Sequence, residues 1–131
     1  MPASGRFLLD TNIVIAVLAG DEAVLANLDL ASEVFVPVIV LGELFFGAAK
    51  SGRPLENAAK VNRFAAGNSI LNCDLPVARE YGRLKQDLRE KGKPLPENDL
   101  WIAAIANCYQ LIVATRDRHF GEIDGLVTAA W

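Results

Sequence analysis

Cysteine, histidine and excess positive charge are all scarce in this sequence. The 131 residues include two cysteines, Cys73 and Cys108, and a single histidine. A chain of this length can build its own core, so two cysteines indicate buried thiols in a reducing compartment rather than a disulfide scaffold. Thirteen Lys and Arg stand against sixteen Asp and Glu, and this formal net charge of -3 excludes a polycation that coats nucleic acid by charge alone.

Long apolar runs are also missing. The longest charge-free run, Leu100 to Thr115, contains Asn107 and Gln110 and falls short of the ~18 to 20 apolar residues that a spanning helix needs. The apolar stretch near the N-terminus ends at Asp10, too early for a secretory signal. We therefore expect a cytoplasmic protein with no membrane span, folded as a single domain over residues 1–131.

Short apolar runs alternate with helical patterns along the chain. Arg6 to Leu9 is typical of a strand, and apolar residues from Ile13 onward follow helical spacing until Gly20. Further strands are predicted at Val34–Val38, Ser69–Asn72, Leu111–Ala114 and, at an edge, Ile123–Trp131, and further helices from Ile39 to Lys50, Pro54 to Gly67, Pro76 to Gly92 and after a cap at Asn98. This alternation predicts an α/β fold, a three-layer sandwich with a mostly parallel central sheet.

Acidic residues follow the predicted strands at their carboxyl ends, where α/β folds place their functional groups. Asp10 directly follows the first strand, and Asp117 closely follows the strand that ends at Ala114. Both should emerge at the carboxyl edge of the parallel sheet. Glu43 and Asp99 fall on the apolar faces of their helices, so they should point inward.

Four inward carboxylates need neutralising, because an unpaired buried charge costs several kcal/mol. Lys and Arg fall mainly on outer helix faces and in loops, which leaves a bound metal as the solution. We expect oxygen ligands without histidine or cysteine, a set that favours Mg²⁺ or Mn²⁺ over zinc, and we interpret His119 as structural.

Three of the four acids also have an ordinary explanation when they are taken alone. Asp10 is suited to capping a helix, Asp99 to stabilising a first helical turn, and Asp117 to a turn in which it pairs with a neighbouring arginine. Only Glu43 has no such explanation. The conjunction of all four acids therefore carries the metal-site hypothesis.

Four segments occur in order along nearly the whole chain. They are Leu9-Asp10-Thr11-Asn12, Val40 to Gly47 around Glu43, Asn98 to Ala104 around Asp99, and Ala114 to Phe120 around Asp117. Together they resemble the PIN-domain nucleases, and most closely the VapC-type toxins of bacterial and archaeal toxin-antitoxin pairs.

The resemblance implies a metal-dependent endoribonuclease that hydrolyses RNA phosphodiesters with one or two ions. By it, the catalytic and metal-binding positions are Asp10, Glu43, Asp99 and Asp117, and the supporting positions are Thr115 and Asn12. It also implies a homodimer and a cognate antitoxin protein through which any DNA contact is made. Because they neighbour the proposed metal site in the sequence, Lys91, Lys93 and Arg116 are predicted to contact substrate phosphates.

Two other functions compete with this one. An aspartate-nucleophile phosphatase of haloacid dehalogenase type also begins with an acid after its first strand, but it needs a second acid where this chain has Asn12. A non-catalytic RNA- or protein-binding module would have no reason to keep four mutually repelling acids.

Three successive apolar residues predict a contact with another chain. Leu44, Phe45 and Phe46 lie ~100° apart around a helix, so they cannot all face one core. An amphipathic segment of the antitoxin, laid in an apolar groove, would suit the side chains that stay outside.

Overall fold

The computed structural model describes residues 5–131 and contains one five-stranded sheet in the order β3-β2-β1-β4-β5. Every pair of neighbouring strands is parallel. The strands are β1 (Arg6–Leu9), β2 (Glu33–Pro37), β3 (Ser69–Leu71), β4 (Ile112–Ala114) and β5 (Thr128–Ala129). The helices are α1 (Thr11–Leu18), α2 (Glu22–Leu30), α3 (Val38–Ala49), α4 (Pro54–Ala66), α5 (Leu75–Glu90) and α6 (Glu97–Tyr109), with a 3₁₀ helix at Arg118–Glu122.

The central strand is buried on both faces. Phe7 and Leu8 of β1 have no exposed surface, and Leu9 has almost none, as expected where helices cover a parallel sheet on both sides. Because crossovers between parallel strands are right-handed, the helices that lead to β2 and β3 cover one face, and α5 and α6, which return the chain to β4, cover the other. The predicted three-layer α/β sandwich is confirmed.

The sheet has a topological switch point between β1 and β4. From β1 the chain moves to β2 on one side, and it later returns to place β4 on the other side. The backbone N–H of Asp10 donates to the carbonyl of Ala114 over 3.0 Å, which holds the carboxyl ends of the two strands together. Ligands of open α/β sheets bind in the crevice at such a point.

One helix boundary and one whole helix differ from the prediction. Asn98 does not cap α6, because this helix begins one residue earlier at Glu97 and Pro96 occupies the capping position without a side-chain hydrogen bond. Helix α2 was not predicted, since Val24 is its only buried residue and its apolar periodicity is correspondingly weak. Asp21, whose carboxylate accepts from the N–H of Val24, is the capping signal that could have revealed it.

The C-terminal strand and the cysteines also differ. Only Thr128–Ala129 of the predicted edge strand forms β5, because the chain first turns through the 3₁₀ helix and a loop. The prediction of buried thiols is wrong: Cys73 is exposed and Cys108 is half-buried. Cys73 lies in the loop between β3 and α5, and Cys108 packs only at the edge of the core from the last turn of α6. Apolar neighbours in the sequence therefore did not predict how deeply either thiol is buried. Among residues 5–131, no helix has both the length and the apolar character that crossing a bilayer requires.

Candidate active site

Thr115 joins two of the predicted acids at the switch point. Its side chain is buried, and its hydroxyl donates to Oδ2 of Asp10 over 2.6 Å. The hydroxyl oxygen of Thr115 in turn accepts the backbone N–H of Asp117 over 2.9 Å. The hydroxyl therefore links the segments that follow β1 and β4. The supporting role of Thr115 in catalysis stays a prediction.

Replacing Thr115 by Val should destabilise the protein by about 1 to 3 kcal/mol, because the buried carboxylate of Asp10 and the N–H of Asp117 would each lose a partner. Urea unfolding of the metal-free protein measures this loss. Thr115→Ser keeps the hydroxyl and should remain within about 1 kcal/mol of the wild type. Equal stability of the Val and Ser variants would show that the two hydrogen bonds contribute nothing net.

Thr11 links Asp10 to Glu43. Its backbone N–H donates to Oδ1 of Asp10 over 2.8 Å, and its hydroxyl donates to Oε1 of Glu43 over 3.0 Å. Asp10 thereby caps α1, and capping coexists with a position in the site. Sequence reasoning gave Thr11 no role, although a hydroxyl directly after the acid of the first motif was visible.

Asp99 of α6 completes the set of acids. Its side chain is 14% exposed. Burial, followed by the charges of Asp10 and Asp117, raises the pKa of Asp99 from 3.8 to about 6; Glu43 adds a smaller upward effect, and His119 acts in the opposite direction. Burial also raises the pKa of Asp10, while its hydrogen bond from Thr115 lowers it. The charges of the other three acids thus all act on Asp99, and their role as a common ligand set stays a prediction.

His119 lies against the acids, contrary to the expectation that no histidine is near the site. Its Nδ1 is 3.0 Å from Oδ1 of Asp117 and 3.7 Å from Oδ2 of Asp99. The 3₁₀ helix turns the chain back directly after Asp117, and Oδ1 of Asp117 also accepts the backbone N–H of His119 over 2.9 Å. The sequence spacing predicted only that His119 lies in a charged turn, and it did not predict that the 3₁₀ helix brings the imidazole back to Asp117.

Asn12 also takes part in the local structure. Its side-chain oxygen accepts the backbone N–H of Arg116 over 3.2 Å, so Asn12 supports the turn that leads to Asp117. The guanidinium of Arg116 binds Oδ2 of Asp21 and the backbone carbonyl of Trp131, each over 2.9 Å. Its side chain is therefore already engaged away from the acids.

The two predicted lysines also have other partners. Lys91 pairs with Asp124, and Lys93 pairs with Glu122. Within residues 5–131, neither lysine forms an ion pair with any of the four acids. A phosphate contact by these lysines would have to compete with the pairs, and their role in substrate binding stays a prediction.

The donor set fits a divalent cation. In the part of the chain that the structure describes, His119 is the only basic side chain that pairs with these carboxylates, and no Lys or Arg neutralises them. One ligand atom each from Asp99, Asp117 and His119 lies within 4.8 Å of the others. Clustered carboxylates that raise one another's pKa bind a hard cation readily, because the ion relieves their repulsion.

An open groove leads away from Glu43 across α1, α3 and α4. Its volume is about 770 Å³, and its lining combines apolar side chains with Asn57, Lys60 and Asn98. Phe46 lines it and is 65% exposed, with Nζ of Lys50 4.7 Å from the centre of its ring. Phe45 is also exposed, whereas Leu44 is buried, which confirms that the three successive residues do not share one core.

Comparison with known proteins assigns this geometry to a family. The PIN domain family model matches residues 7–126. The chain belongs to the PIN-domain family. Its relatives include ribonuclease VapC2 of Haemophilus influenzae, 34% identical over 129 residues that cover 96% of this chain and 98% of the relative. The tRNA(fMet)-specific endonuclease VapC of Shigella flexneri is 32% identical over 130 residues, with the same two coverages of 96% and 98%.

Solved structures place the PIN domain described here among toxin-antitoxin proteins. The VapBC2 complex of Rickettsia felis, bound to a DNA fragment of its promoter, contains a chain that matches with a TM-score of 0.89 at 27% identity. That match covers 96% of this chain and 98% of the other. The resemblance to PIN-domain nucleases and VapC-type toxins, drawn from the four acidic segments, is confirmed.

Proposed function

We propose that this PIN-domain protein is the toxin of a type II toxin-antitoxin pair and cleaves RNA with Mg²⁺ or Mn²⁺ held by Asp10, Glu43, Asp99 and Asp117. One observation carries the proposal. Asp99 lies within the electrostatic reach of Asp10, Glu43 and Asp117, which come from three other segments, and no described Lys or Arg neutralises these acids. Relatives named as VapC ribonucleases support the same activity.

Each residue of the site has a separate role in the proposed hydrolysis. A bound divalent ion supplies Lewis-acid catalysis, namely activation of a water nucleophile and stabilisation of charge at the attacked phosphate. Thr115 and Thr11 orient the carboxylate of Asp10, each through one of its oxygens. Glu43, held by Thr11, or Asp99 orients the attacking water toward phosphorus. No side chain attacks the phosphate, so no covalent intermediate with the protein forms.

The products should carry a 5′-phosphate and a 3′-hydroxyl, because water displaces the 3′-oxygen in line. Single-stranded RNA, incubated with the protein in Mn²⁺ or Mg²⁺, should yield fragments that accept ligation at the 5′-phosphate. Chelation by EDTA should abolish cleavage, and either ion added back should restore it.

A 2′,3′-cyclic phosphate would contradict this mechanism. It would indicate attack by the 2′-hydroxyl of the RNA, which needs a general base but no metal. Cleavage that persists in EDTA would do the same. An Asp10→Asn variant purified in parallel excludes a contaminating nuclease, since only activity that depends on this chain disappears with the substitution.

The competing functions have less support. The haloacid dehalogenase reading needs an acid at position 12, but Asn12 is there and accepts a backbone hydrogen bond from Arg116. A non-catalytic binding module leaves the mutual repulsion of Asp10, Asp99 and Asp117 without a purpose. In a metal-dependent ribonuclease, the bound ion relieves this repulsion, and no acid is needed at position 12.

An antitoxin is the partner that the groove beside Glu43 suits best. Its apolar lining and the exposed ring of Phe46 offer an anchor for an amphipathic segment. The Rickettsia felis relative was solved as a VapBC2 complex on promoter DNA, and we propose that the present toxin likewise contacts DNA only through its antitoxin. A basic residue of the antitoxin, set among the acids, would displace the metal and inhibit cleavage. The homodimer implied by the resemblance belongs to the same proposal.

A further inference from the structure

His119 contacts the acids but has no part in the mechanism above. Its Nδ1 lies 3.0 Å from Oδ1 of Asp117 and 3.7 Å from Oδ2 of Asp99. We propose that His119 is a nitrogen ligand of the divalent ion and makes the centre select Mn²⁺ over Mg²⁺. This inference rests on the metal-dependent function proposed above, and it adds a residue that the acidic pattern of the sequence did not include.

The distances from the imidazole Nδ1 to the two carboxylate oxygens are already those between ligands on one ion. In an octahedral site with bonds of about 2.1 Å, neighbouring ligand atoms lie about 3.0 Å apart and opposite ones about 4.2 Å. The distance of 3.0 Å from Nδ1 to Asp117 equals the spacing of neighbouring ligands, and the distance of 3.7 Å to Asp99 lies between the two values. An ion can therefore be shared by the imidazole and the two carboxylates with only small side-chain adjustments.

The backbone holds His119 in this place from both sides. Its N–H donates to Oδ1 of Asp117 over 2.9 Å, and the next residue, Phe120, is completely buried in the core. The side chain of His119 is nevertheless 59% exposed. The imidazole is thus anchored at its base and accessible to an ion that enters from solvent.

A nitrogen donor changes which ion the site prefers. Mg²⁺ favours oxygen ligands and keeps several waters, whereas imidazole binds transition metals well. Loss of His119 should therefore weaken Mn²⁺ binding much more than Mg²⁺ binding. If the imidazole were only a cation that neutralises Asp99 and Asp117, its loss would instead strengthen the binding of both Mn²⁺ and Mg²⁺, because a competing positive charge would be gone.

Titration calorimetry of the whole chain with Mn²⁺ and with Mg²⁺ separates these cases. His119→Ala keeps the backbone N–H that bonds Asp117, and it should raise the Kd for Mn²⁺ at least about tenfold but the Kd for Mg²⁺ less than about threefold. Pulsed EPR of the Mn²⁺-loaded wild type should show ¹⁴N coupling from the imidazole, and the variant should lack it. Arg118→Ala is the matched control, since it removes a neighbouring positive charge but no ligand atom.

Three results would overturn the inference: absence of ¹⁴N coupling in the wild type, an equal change for both ions, or tighter binding by His119→Ala. In each of them the wild type still binds a divalent ion, so the proposed ribonuclease mechanism stands. A wild type that binds neither ion would overturn the metal dependence itself, and the ligand role of His119 with it.

Discussion

Replacing Asp99 by Asn should reduce RNA cleavage at least about a hundredfold and, at the same time, stabilise the metal-free protein. Activity falls because a ligand of the ion is lost. Stability rises because the carboxylate of Asp99 is partly buried beside the charges of Asp10 and Asp117, and its pKa is raised to about 6. At neutral pH the gain should be roughly 1 to 3 kcal/mol in the free energy of unfolding.

The pH dependence of this gain follows from the direction of the shift. The ordinary pKa of 3.8 becomes about 6 in the folded protein, so between these values the folded state binds the proton more tightly than the unfolded state. The stability of the wild type therefore falls as pH rises through this window, and the cost is complete above about pH 6. Asp99→Asn should equal the wild type below about pH 4 and exceed it above about pH 6.

Thermal melts in EDTA across pH 4 to 8 measure this difference, and melts in millimolar Mn²⁺ measure metal binding. The ion should raise the melting temperature of the wild type and have little effect on Asp99→Asn. Asp29→Asn is the control, because Asp29 is an exposed acid on α2, away from the site. Two results would contradict the metal centre: a lower stability of Asp99→Asn than of the wild type, or a melting temperature of the wild type that does not change with Mn²⁺.

Replacing Phe46 by Asp should weaken antitoxin binding by more than about 2 kcal/mol, roughly thirtyfold or more in Kd. The ring is 65% exposed and lines the groove beside Glu43. An aromatic side chain in such a place is a typical anchor, and a charge there would have to be desolvated when the partner binds. Cleavage of RNA by the free toxin should persist.

The control for this variant is Leu55→Asp. Leu55 lies in the first turn of α4, is 89% exposed and does not line the groove, so its substitution adds the same charge outside the proposed contact. Calorimetry with the purified antitoxin compares the two variants, and Phe46→Ala separates loss of the ring from gain of the charge. Unchanged affinity in both Phe46 variants would move the antitoxin to another surface.

The elements and the acidic positions were accessible to sequence reasoning because their signals are local. The strand before Asp10 and the helix after it are both visible in the spacing of apolar residues. Parallel strands end at one edge of a sheet, so Asp10 and Asp117 could be placed together without knowing the strand order. Glu43 was recognisable as a charge on an apolar helical face. Helix α2 escaped because it buries only Val24.

The partners of the charged side chains were decided by the tertiary structure. Lys91 and Lys93 stand before Asp99 in the chain, yet they pair with Asp124 and Glu122 from the C-terminal region. The approach of His119 to Asp99 likewise depends on how the 3₁₀ helix lies against the start of α6. Secondary structure is encoded within a few residues, because backbone hydrogen bonds and the burial of one face repeat over one turn or one pleat. A long charged side chain instead takes whichever opposite charge the packing of distant segments brings within reach, and no local pattern records that choice.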